Sequence, residues 1–183
     1  MENAHLMEHV NQGKHLFNHA TSLAERFLEF LQKNEWPKGL LIELECHRGH
    51  SIDYFRREHI FCFGIHTDSE WNKRAKQLYP RSEYRLGPIC DPEIKNGLAS
   101  AVFAINPRPC PDELAIAEAW RILKPGGYLC MHFYLENKGP DEQLAIRPLL
   151  SKFEILNEMK FSSLRFHPQL DYNFIYEVMC RKS

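Results

Sequence analysis

The chain has 183 residues, with 23 basic and 24 acidic side chains for a net charge of -1, and is 44% hydrophobic and 26% charged. This length suits one domain with a sizeable core, and the composition excludes a disordered or collagen-like chain. The balanced charge removes the basic footprint that favours nucleic acid or an anionic membrane surface.

The N-terminal stretch MENAHLMEHVNQGKHL has neither an apolar signal core nor a small-residue cleavage site, and no later run approaches ~18 apolar residues. A soluble, cytoplasmic protein is therefore expected. His5, His9, His15 and His19 form two i, i+4 pairs, a spacing that can hold a transition metal on a helix. Asn11-Gln12-Gly13 interrupts them and no acidic or cysteine partner stands at ligand spacing, so a solvated segment and no metal site are expected.

Between Asn18 and Lys33, Ala20, Leu23, Phe27, Phe30 and Leu31 recur at helical spacing ahead of the breaker NEWPKG. Leu40 to Leu44 is a short apolar strand, and HSIDYFRR follows as a helix with Ile52 and Phe55 on one side. The alternation repeats: IFCFGI reads as a buried strand, and SEWNKRAKQLYP as a helix with Trp71, Ala75 and Leu78 on one stripe. Its basic residues, like those of YFRREH, read as solvated helix faces.

EYRLG and ASAVFAI are the third and fourth strands, the latter followed by the turn NPRPCPD. A helix from Asp112 carries Ile116, Trp120 and Leu123, with Lys124 placed to complement its negative end and Pro125-Gly126-Gly127 to terminate it. YLCMHFY is the fifth strand. DEQLAIRPLL is a short helix limited by Pro148, and FEILNEMKF and NFIYEVMCRK, with no helix-length segment between them, are expected to be antiparallel neighbours. Strands alternating with helices predict a parallel α/β sheet. The six cysteines include no C-x-x-C pair, and the four in apolar segments read as buried reduced thiols.

This order, together with EAWRILKPGG at Glu118 to Gly127, resembles the class I S-adenosylmethionine (SAM)-dependent methyltransferases over residues 15 to 182. The resemblance implies a three-layer αβα sandwich with a mostly parallel seven-stranded Rossmann-like sheet and an antiparallel last strand. It implies one domain over 1–183: an N-terminal helical segment 1–35, a cofactor-binding half 40–134, and a C-terminal helix and strand pair 135–183. SAM is the implied cofactor, with a small or peptide-like acceptor.

The resemblance carries cofactor contact onto Glu43, Glu45, Cys46 and Gly49 of the first loop, His66 at the end of the second strand, and Asp91 after the third. In ELECHRG the acid and the last glycine of the family pattern are kept as Glu43 and Gly49, while Glu45 and His47 stand where two further glycines belong. Glycine serves there because the turn is tight and its backbone approaches the ligand. Glu45 and His47 are thus expected to intrude on the cofactor volume or to divert the loop.

A pyrophosphate beside Glu43 and Glu45 is electrostatically disfavoured, which argues against NAD, and no G-x-x-x-x-G-K run is present. His66 replaces an acid that accepts both ribose hydroxyls. Each charge-assisted bond is worth roughly 1.5–3 kcal/mol, so the replacement costs about tenfold to hundredfold in affinity unless Asp68, otherwise a helix cap, substitutes.

For chemistry, Asn106-Pro107 is similar to the Asn-Pro-Pro-aromatic turn of amino-group methyltransferases, and His132 on the fifth strand is a candidate base. A rigid loop and a core histidine are the alternative readings of these two. The departures at Glu45, His47 and His66 leave a second function open: a catalytically impaired methyltransferase-like module that binds a protein partner.

Overall fold

The computed structural model describes residues 20–91, 93–105, 110–135, 141–162 and 174–183. The four N-terminal histidines and the Asn106-Pro107 turn lie outside these residues. Seven strands, β1 (Leu41–Leu44), β2 (Cys62–His66), β3 (Tyr84–Leu86), β4 (Ala99–Ile105), β5 (Leu123–Leu135), β6 (Phe153–Ser162) and β7 (Phe174–Lys182), form one sheet in the order β3-β2-β1-β4-β5-β7-β6. Strands β1 to β5 are parallel, β7 is antiparallel to β5, and β6 is antiparallel to β7.

The helices are α1 (residues 20–33), α2 (His50–Arg57), α3 (Ser69–Leu78), α4 (Asp112–Ile122) and α5 (Asp141–Ile146), the last running into a 3-10 turn at Arg147–Leu150 around Pro148. No helix of the described residues is long and apolar enough to cross a membrane.

Every residue of β1 and β4 is buried, because helices cover both faces of the sheet. Ala101, Phe103 and Ile105 of β4 pack with Leu23, Phe27 and Leu31 of α1 and Ile52 and Phe55 of α2. Val102 and Ala104, pointing the other way, pack with Ala115, Ile116, Ala119 and Ile122 of α4 and with Leu150. The two-residue period of the strand thus feeds two cores and produces the three layers.

Three local expectations change in the folded chain. Helix α4 ends at Ile122, and Leu123 is already extended and paired with Ala99. Lys124 to Gly127 form a bulge at the register shift opposite Ser100, with Gly126 at φ 75°. The cation that meets the end of α4 is Lys182 of β7, whose Nζ donates to the carbonyls of Trp120 and Leu123 at 2.6 and 2.7 Å. On α3, Ala75 is buried as expected, but Asn72 is buried in place of Leu78, which is exposed. Asp68 caps this helix, accepting from the Glu70 and Trp71 amides.

Candidate functional site

The strand order reverses between β1 and β4, which opens a crevice beyond the carboxyl ends of the strands. The loop from β1 into α2 borders it. Its backbone is left-handed at Glu45 (φ 54°), His47 (φ 44°) and Gly49 (φ 77°), the three alternate positions of the glycine pattern. The loop therefore keeps the glycine course with two bulky residues in it, at a cost of roughly 1–2 kcal/mol per non-glycine residue. One tertiary and one turn hydrogen bond hold it there: the Cys46 amide donates to the Ile65 carbonyl at 3.1 Å and the Gly49 amide to the Cys46 carbonyl at 2.7 Å. Gly49 is required by packing as well as by φ, because a Cβ there would lie 2.3 Å from the Tyr84 hydroxyl.

The two intruding side chains reach different strands. Glu45 is buried and its Oε1 accepts from the Thr67 amide at 3.0 Å, which puts a carboxylate at the end of β2. His47 donates through Nε2 to the Ile105 carbonyl at 3.2 Å, across the β1–β4 crevice, with the Trp71 ring edge-on at 6.3 Å.

Glu43 turns inward. Its Oε1 accepts from the Ser51 hydroxyl at 2.5 Å, and burial pushes the carboxyl up to about 8 against that bond, so it is protonated at neutral pH. His66 is also fully buried, with Nε2 3.1 Å from the Cys46 sulfur. Burial and the nearby His47 and Lys76 lower it to about 4, leaving a neutral ring whose Nδ1 has no partner among the described residues. Burial raises the Cys46 thiol well above its ordinary range. Asp91 closes a turn, its Oδ1 accepting from the Glu93 amide at 2.9 Å. Of the residues expected to touch a cofactor, only Glu45 thus places a charged oxygen at a strand end beside the crevice.

No sequence-family profile matches the chain, and no curated protein matches it. Solved structures do. A SAM-dependent methyltransferase from Methanosarcina mazei superposes with a TM-score of 0.69 at 14% identity, over 83% of this chain and 96% of that one. Geranyl diphosphate C-methyltransferase from Streptomyces coelicolor A3(2), solved with Mg2+, geranyl diphosphate and S-adenosyl-L-homocysteine, gives 0.65 at 14% identity over 87% and 80%. The chain has the class I methyltransferase fold. The (4+2)-cyclase SpnF matches at 0.65 and 18% identity over 86% and 80%, so likeness to this methyltransferase fold leaves the reaction to be argued from the site.

Within the methyltransferase fold, the EAWRILKPGG segment acts as a brace. Arg121 pairs with buried Glu118 through two bonds of 2.5 and 2.7 Å, and donates to the carbonyls of Ile94 and Asp91 at 2.6 and 2.9 Å. It ties α4 to the loop between β3 and β4.

His132 is fully buried, with Nδ1 3.3 Å from the Ala104 carbonyl and Nε2 3.0 Å from Glu177 Oε2. Both nitrogens face protein atoms and neither faces the crevice. Burial alone would raise the Glu177 carboxyl, but bonds from His132 and Arg26 outweigh it and hold it at about 2. Glu177 and Arg26 escaped the reading of the sequence. The available signal was an acid inside the apolar strand FIYEVMC, where an uncompensated charge is costly.

Proposed function

We propose that the chain is a SAM-dependent methyltransferase acting on a small-molecule acceptor. The observation that carries this reading is Glu45. In the methyltransferases resembled, an acid on β2 receives the ribose hydroxyls; here His66 has turned into the core and Glu45 brings a carboxylate to the same strand end from β1. The left-handed backbone at 45, 47 and 49 keeps the course that lets main chain approach a ligand. Bound SAM supplies an electrophilic methyl group. The protein's part is to orient it through Glu45 and the loop amides, and to exclude water as His47 and Trp71 close over the crevice. Glu45 is buried in this conformation, so binding requires the loop to open. The small-molecule acceptor is supported by the Streptomyces coelicolor structure, which holds geranyl diphosphate.

The contact of His47 with the Ile105 carbonyl favours a second reading, in which the crevice stays shut and the fold serves a protein partner. Calorimetry with S-adenosylhomocysteine separates the two. The enzyme reading expects binding that weakens about tenfold to hundredfold in Glu45→Gln, the loss of one or two charge-assisted bonds. No heat at millimolar ligand, with binding appearing only in His47→Gly, would establish the closed module instead.

A further inference from the structure

The mid-sheet cluster beneath α1 holds three potential ligand atoms that no part of the methyl-transfer reading uses. Cys130 and His132 lie two apart on β5 and share a face, and Glu177 of β7 stands directly opposite His132 in the antiparallel register. All three are fully buried. Their ligand atoms lie within 4.8 Å of one another, with Cys130 Sγ 3.9 Å and Glu177 Oε2 3.0 Å from His132 Nε2.

The hydrogen-bond accounting at His132 points to a cation. A neutral imidazole carries one N–H. With that hydrogen on Nε2 and donated to Glu177, the Nδ1 lone pair faces the Ala104 carbonyl; with it on Nδ1, the Nε2 lone pair faces the Glu177 carboxylate and the Cys130 thiol, so either neutral tautomer leaves two acceptors in contact, which a cation between Nε2, Oε2 and Sγ relieves. Arg26 does not fill the gap. Its shorter bond, 2.7 Å, goes to the other carboxylate oxygen, Oε1, and its contact with Oε2 is 3.3 Å.

We propose that Cys130, His132 and Glu177 form a site for a zinc-type divalent cation. Sulfur, imidazole and carboxylate together suit a borderline-soft ion, and ligands at about 2.0–2.3 Å around a tetrahedral centre stand about 3.3–3.8 Å apart, which this triad reaches with shifts of about 1 Å. The surrounding contacts are those of an outer shell: the Ala104 carbonyl sets the tautomer of His132, Arg26 holds the free oxygen of Glu177, and Phe103 packs edge-on against the ring at 5.6 Å. Three protein ligands leave a fourth position, shielded by α1.

Cobalt titration of the full chain tests this, because a thiolate–cobalt charge-transfer band reports the sulfur ligand and is silent about binding to the N-terminal histidines. One equivalent of Co2+ is expected to produce that band together with intense tetrahedral d–d absorption. Cys130→Ser should abolish the charge-transfer band, the double variant Cys90→Ser, Cys110→Ser should retain it, and Glu177→Gln should weaken binding at least tenfold. If Cys130→Ser does not fold, the band in the Cys90, Cys110 variant together with its weakening in Glu177→Gln decides. Absence of the band, or its loss in the Cys90, Cys110 variant, would overturn the site and leave His132 as a hydrogen-bonded partner of Glu177.

Discussion

Glu43, at the end of β1 and expected from the sequence to touch a cofactor, serves the core instead. Its carboxyl is raised from 4.5 to about 8 by burial, against the hydrogen bond it accepts from Ser51. The folded state therefore holds this proton more tightly than the unfolded chain. Its contribution is fully present below the ordinary pKa near 4.5 and is lost as pH rises through about 8, at up to about 1.4 kcal/mol per pH unit. Glu43→Gln keeps the shape and removes the titration. Thermal denaturation should show little difference from wild type near pH 5 and a more stable variant near pH 8 to 9.

At the level of elements, much of the site's geometry depends on braces between segments distant in sequence. Arg121 on α4 joins buried Glu118 to the carbonyls of the β3–β4 loop. Removing one partner of a buried pair leaves an uncompensated charge, which costs about 3–5 kcal/mol, whereas removing both is far milder. Arg121→Met should thus lower stability by about 2–4 kcal/mol, the lower end reflecting its partial exposure, and adding Glu118→Gln should recover part of that loss in a double-mutant cycle by urea denaturation. The glycines follow the same logic. A Cβ at Gly64 would come 2.1 Å from the Cys46 sulfur, so the glycine of β2 and the cysteine of the loop are one packing decision.

Across the whole molecule, α1 is bound to the far strand β7 through Arg26 and Glu177, 151 residues apart. Arg26 is half-buried and Glu177 wholly so, and the pair closes the layer over β5. Arg26→Met should cost about 2–3 kcal/mol, the exposure of Arg26 and the remaining His132 contact holding it below a fully buried pair, and Arg26→Lys should recover only part of it, since a single ammonium cannot span both oxygens. Equilibrium denaturation of the two variants checks the ordering.

The sequence by itself determined the strand and helix order and the antiparallel closing pair, because these follow from apolar periodicity and turn chemistry within short windows. It also marked Glu45, His47 and His66 as the unusual residues. Only the tertiary structure decided what they do. The loop keeps its left-handed course because strands β2 and β4 supply hydrogen-bond partners at Thr67 and Ile105. The same holds for the site beneath α1. Cys130 and His132 are neighbours on one strand, but Glu177 and Arg26 join them through sheet register and helix packing, relations that no local pattern in the chain encodes.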